Sequence, residues 1–206
     1  MGSRIMHLLI ANRISDELQL DNKTSFLLGG IAPDAVQPKN LSHFYTGDVV
    51  DFSRKVEFNR FFGKYKCHRD HLYILGYYTH LIADSLWLTG FYLPWLKNRL
   101  EQDENLLSLY HHDFRLLNAK LLQYYGGEER LRTCLHEPIT IFPTDEVPVK
   151  KLIEFLPEVL GDLDYEHQDK NASLKVFTLQ QIIGYVETSV QLGLQKVRSI
   201  HFSSVN

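Results

Sequence analysis

The sequence predicts an all-α protein, a helical bundle with one long helix through its core. Three observations carry that prediction. Apolar residues recur at helical spacing in one segment after another. The segment HRDHLYILGYYTHLIADSLWLT, residues 68–89, is apolar on most sides, as a helix running through a core should be. The strongest strand candidate, ITIF at 139–142, is too short to compete.

The elements follow in order. Ile5, Leu8, Leu9, Ala11 and Ile14 define an apolar face, and Ser3 is a good N-cap, so the first helix covers about 3–20. A second covers about 22–31, with Asp21, Asn22 and Thr24 as capping choices, and ends at Ala32-Pro33 because a residue before proline disfavours the α region. Pro33, Pro38, Asn40 and Gly47 make 33–50 a loop. A helix over 50–63 would bury Val50, Phe58, Phe61 and Phe62. After the core helix, Gly90 and Pro94 break or kink the chain. Helices follow over about 92–101 and 104–125, the latter stopped by Gly126-Gly127. A short helix covers 128–136, the proline-rich HEPITIFPTDEVP is a loop, and 148–160 is helical. Residues 161–171 connect to a last helix over 173–201, with Leu174, Phe177, Leu179, Ile182, Ile183 and Val186 inside. The length fits one domain, 1–206, with a core at 1–136 and a helical extension at 137–206.

Composition narrows the function. Hydrophobic residues at 44% supply a sizeable core, and 23% charged residues argue against disorder. A net charge of -3 provides no global field for nucleic acid or anionic lipid, so no nucleic-acid partner is expected. No apolar run reaches the roughly 18 residues of a membrane span, and the first residues lack a signal-peptide pattern, so stable membrane anchoring is not expected. Cys67 and Cys134 form no CxxC pair, and a reducing cytoplasm is the simplest compartment. Histidine, at ten residues, is the unusual count and prompts a search for a site.

Four segments carry candidate chemistry. In GYYTHLIADSLW, His80 and Asp84 are four apart on one helix face, where one metal ion can reach both. A buried carboxylate costs several kcal/mol, on the order of an isolated ion, unless paired or coordinated. A His–Asp hydrogen bond or an arginine-paired Asp84 is the competing reading. In GGIAPDA, Gly29 and Gly30 permit close packing or an unusual backbone angle, and Asp34 is either a ligand or proton acceptor or an ordinary turn aspartate. In SHFY, His43 sits on a loop, as site residues often do, or is merely half-exposed. His7, beside the apolar face of the first helix, reads by itself as a satisfied core residue.

Together, MHLLIANRI, LLGGIAPDA, SHFY and GYYTHLIADSLW present the order His, Asp, His, His-x3-Asp. That order resembles the zinc-dependent phospholipase C family, whose superfamily also includes zinc-dependent single-strand nucleases. The resemblance covers roughly the first 90 residues best. It implies an all-helical fold with metals held between the N-terminal segment, a loop and the central helix. It implies His7, Asp34, His43, His80 and Asp84 as ligands, Asp84 bridging two metals and Asp34 doubling as general base. It further implies Zn²⁺, one or two ions with Mn²⁺ or Fe as alternatives, and a phosphate-ester substrate hydrolysed by metal-activated water.

There are departures. Secreted members ligate metal through the amine of a processed N-terminal tryptophan, whereas here Met1 precedes Gly-Ser-Arg. They also carry a downstream His-x3-Glu, which is absent after residue 84, leaving His111, His112 and Asp113 as candidates for an additional metal. Two other readings stand beside the hydrolase. One is a non-enzymatic helical binding protein with a structural or vestigial metal. The other is an HD-type phosphohydrolase built on His112-Asp113.

Overall fold

A computed structural model describes residues 3–138 and 140–202. The chain is all-α. Helix α1 (Arg4–Glu17) begins where the Ser3 hydroxyl accepts the Met6 N–H at 3.2 Å, and it is buried along Ile5–Ala11. Helix α2 (Lys23–Ile31) is capped the same way, with Asn22 Oδ1 accepting from the Ser25 N–H at 3.2 Å. Helix α4 (Leu72–Trp87) is the hydrophobic core helix, and His71 Nδ1 caps it by accepting the Tyr73 N–H.

Glycines decide how closely these helices meet. A Cβ at Gly29 would lie 2.0 Å from the Tyr73 carbonyl oxygen, and one at Gly76 would lie 2.0 Å from that of Phe26. Neither residue needs a positive φ; both are glycine so that the backbones of α2 and α4 can touch. Close packing is thus the role of Gly29.

Between α2 and α4 the chain makes a 3₁₀ turn (Ala32–Ala35), a loop, and two short antiparallel strands, β1 (Tyr45–Thr46) and β2 (Lys55–Val56), with Tyr45 opposite Val56. Helix α3 is only Phe58–Lys64, so the expected helix over 50–63 is corrected: its first half is turn and strand, and Val50 is 78% exposed. Side chains outcompete the helix there. Asp48 Oδ1 takes the Val50 N–H, Asp51 Oδ1 takes the Ser53 N–H, and Phe52 sits at φ 61.

Beyond α4 the chain does not break at Gly90 and Pro94. It passes through a π-helical stretch (Leu88–Leu96) into α5 (Lys97–Gln102), the wider turn accommodating the missing N–H of Pro94. Helices α6 (Leu106–Tyr125), α7 (Glu128–His136) and α8 (Val149–Gly161) follow. Of the ITIF segment, Ile139 lies outside the described residues; its other residues form no strand.

Helix α9 (Leu179–Phe202) starts later than expected, so Leu174 and Phe177 precede it. Thr178 and Gln181 form a capping box: the Thr178 N–H donates to Gln181 Oε1 at 2.9 Å, and the Gln181 N–H donates to Thr178 Oγ1 at 3.2 Å. Helix α9 packs on α1 and α4, with Gly193 against Ile14 and Thr79. No helix among the described residues is long and apolar enough to cross a membrane.

Candidate metal centre

The close approach of α1, α2 and α4 brings His7, Asp34, His43, His80 and Asp84 together. All five side chains are almost wholly buried. His7 comes from α1, Asp34 from the 3₁₀ turn, His43 from the loop, and His80 and Asp84 from successive turns of α4. His7 Nε2 lies 3.3 Å from Asp84 Oδ1. His43 Nε2 lies 3.3 Å from Asp84 Oδ2, 3.4 Å from Asp34 Oδ1 and 3.3 Å from His80 Nε2. The His7 and His80 rings stack with centroids 3.8 Å apart. Two overlapping triads, His7/Asp34/His80 and His43/His80/Asp84, each offer ligand atoms within 4.8 Å of one another.

Surrounding groups orient the imidazoles. His80 Nδ1 donates to the Gly30 carbonyl oxygen at 2.8 Å, so α2 sets the ring of a residue on α4. His43 Nδ1 lies 2.9 Å from Ser42 Oγ and 3.2 Å from the Lys39 carbonyl oxygen, while the Ser42 hydroxyl donates to the Pro33 carbonyl oxygen. Tyr77, one turn before His80, donates to the Ser42 carbonyl oxygen at 2.7 Å and ties the His43 loop to the core helix. The Tyr45 hydroxyl donates to Asp84 Oδ2 at 3.2 Å.

This arrangement tests whether the residues fit a metal. With the Nδ1 protons of His43 and His80 directed at carbonyl oxygens, both Nε2 atoms present lone pairs. Those lone pairs face each other and the Asp34 and Asp84 carboxylates. Burial pushes His43 and His80 below the ordinary imidazole value, which favours the neutral rings this geometry needs. Burial also opposes ionisation of Asp34 and Asp84. Both nevertheless lie well below the usual carboxylate range, the Lys39 ammonium contributing at Asp34. Acceptors crowded this closely are mutually repulsive without a cation among them, and His/Asp donors suit Zn²⁺.

A cavity of about 610 Å³ opens beside the cluster, and Asp34 is the member that lines it, with Arg4, Lys39, His111 and Arg115 around it. Lys39 is ion-paired to Asp34.

The structure does not bring His111, His112 and Asp113 into the cluster. His111 and His112 are exposed on α6, the former at the cavity wall. Asp113 is buried, and its carboxylate accepts the backbone N–H groups of Lys175, Val176 and Phe177. Met1 lies outside the described residues. Reading the sequence missed the Gly30 carbonyl and the Tyr77 hydroxyl. Position 77, three before His80 on the same helix face, is a usable signal for the second; no residue-type signal marks the first.

A helical scaffold with a buried His/Asp cluster is that of a protein able to hold a metal. The model of the zinc dependent phospholipase C family matches residues 6–187, and the chain belongs to that family. No curated protein and no solved structure matches it. Family and cluster together support metal-dependent hydrolysis as the general chemistry, with zinc as the metal.

Proposed function

We propose that the chain is a zinc-dependent phosphoester hydrolase, acting on a phosphate ester as a phospholipase C-like phosphodiesterase or phosphatase. The observation that carries this reading is the pair of overlapping triads sharing His80, with Asp34 at the edge of an open cavity. His7, Asp34, His43, His80 and Asp84 would hold one or two metal ions. Bound zinc supplies Lewis acidity toward phosphoryl oxygen and lowers the pKa of water to about 7.

The chain's own groups do the rest. Asp34 is ionised and borders the cavity, so it can orient an attacking water and accept its proton. Gly30 holds His80, and Lys39 and Ser42 hold His43, each in the tautomer with a free Nε2. Tyr45 fixes one oxygen of Asp84. The whole chain serves as one domain in this reading, since α9 closes the bundle against α1 and α4.

The test is elemental analysis of protein purified without chelator, beside His80→Ala and Asp84→Asn, followed by hydrolysis of bis-p-nitrophenyl phosphate and a phosphatidylcholine. About one to two equivalents of zinc, lost in both variants together with hydrolysis, are expected. A wild type that takes up no metal even after zinc is added back would sink the reading.

A further inference from the structure

The wall of the cavity beside the cluster holds a buried polar atom that nothing uses. Asn118 of α6 is 8% exposed, and its Oδ1 is buried with no hydrogen-bond partner among the described residues. Asn118 lines the same cavity of about 610 Å³ as Asp34, so it faces a space that the metal cluster also borders. His111, Arg115 and Asn118, spaced by four and three, place one face of α6 along that wall. The volume lies in the range of pockets that enclose a small ligand.

A buried acceptor left unpaired is costly, and a ligand that donates to it removes that cost. The charges around the cavity select among donors. Arg4 is paired with Glu158 and Asp162, Lys39 with Asp34, and Arg115 with Asp169 at 2.9 Å. Every Lys, Arg, Asp and Glu side chain lining the cavity is thus already in an ion pair, and an incoming ammonium finds no free carboxylate. The Arg4 guanidinium also lies over the Phe155 ring, 5.5 Å from its centroid, where a quaternary ammonium would otherwise stack. A trimethylammonium has no N–H to give to Oδ1. A hydroxyl brings its own donor, needs no counter-charge, and can accept from the lining guanidinium groups.

We infer that this cavity takes a polyol substituent of the phosphate ester, one hydroxyl donating to Asn118 Oδ1 while the phosphate sits at the Asp34 edge. This inference rests on the hydrolase reading and names its substrate class. The competing role for Asn118 is packing of α6, with its amide oxygen met by water.

The experiment measures kcat/KM of the zinc-loaded full chain on the p-nitrophenyl phosphodiesters of glycerol, propanol and choline, for wild type, Asn118→Leu and Asn118→Ala. The glycerol ester is expected to lead both others by about tenfold, as one well-made hydrogen bond to a buried acceptor allows. Asn118→Leu should bring the glycerol-to-propyl ratio back toward one, and Asn118→Ala, which a helix accepts readily, repeats the test if leucine does not fold. Phosphatidylglycerol beside phosphatidylcholine in detergent micelles carries the comparison to lipids. A preference seen there as well identifies a lipid headgroup, and one confined to the soluble esters identifies a soluble polyol phosphate; either upholds the inference. A wild type that cleaves the propyl or choline ester as fast as the glycerol ester overturns it and leaves the hydrolase standing. So does a glycerol preference that survives intact in the folded variants. A zinc-loaded wild type that cleaves none of the esters overturns the hydrolase reading and this inference with it.

Discussion

Asp84 and Asp113 are both fully buried aspartates on long helices, each near a histidine in sequence, and they have opposite surroundings. Asp113 on α6 meets the backbone: the Val176 N–H at 2.7 Å, the Lys175 N–H at 2.9 Å and the Phe177 N–H at 3.1 Å. Its charge is satisfied by peptide donors, and it pins the segment that leads into α9. Asp84 on α4 meets the imidazoles of His7 and His43 and the phenol of Tyr45. Two of the nitrogens near it, those of His43 and His80, carry lone pairs once their other ring nitrogens have donated. A buried carboxylate does not by itself mark a site. The donors around it decide whether it is a structural clamp or a ligand.

Replacing each aspartate separates the two roles. Asp113→Ala leaves the two buried N–H groups of Val176 and Phe177 without this acceptor, each costing about 1–3 kcal/mol, so a loss of at least about 2 kcal/mol is expected. Urea denaturation of metal-free protein measures it, and a loss below about 1 kcal/mol would break the comparison. Zinc uptake by the folded variant should be unchanged.

Metal removal tests the other side. With free zinc at about a hundred times its dissociation constant, binding adds about 2.7 kcal/mol, which chelation should abolish in the wild type. Asp84→Asn should show little response to chelator. A chelator effect in Asp84→Asn equal to that in the wild type would remove Asp84 from the ligand set.

The pH dependence of the chelated protein follows from the buried rings. His43 and His80 titrate below 6.5 in the folded chain, so the unfolded chain takes up their protons first as the pH falls. Their contribution is complete above about pH 6.5 and declines on acidification, by up to about 1.4 kcal/mol per pH unit for each histidine. Asp34 and Asp84, both held below 3.8, begin to lose theirs only under about pH 4. Urea midpoints measured from pH 8 to pH 5 should therefore fall mainly below about 6.5, and a flat profile would mean that these rings are not buried neutral.

The smallest effect sharpens the Asp113 side. Thr178→Ala removes one arm of the cap that follows the pinned segment and should cost about 1 kcal/mol without altering zinc uptake.

Much of the scaffold was legible because it depends on local chemistry. Ser3 and Asn22 cap the helices where the sequence suggested, and the apolar run through 72–87 forms the core helix. The errors were also local contests. Asp48, Asp51 and Ser53 hold a turn that the phenylalanines after them made look helical. Phe177 is buried like a helix residue while standing in an irregular segment before α9, which hid the Thr178–Gln181 cap.

The sequence by itself determined the helical class, most helix starts, and the one-turn spacing of His80 and Asp84, because periodicity and capping act within a few residues. Only the tertiary structure decided that Gly29 and Gly76 bring two backbones into contact, that Gly30 orients His80, that Asp113 serves the backbone, and that Arg54 lies over Tyr45. Each of these depends on what lies opposite a group across the bundle. A partner tens of residues away leaves no periodic trace in the chain.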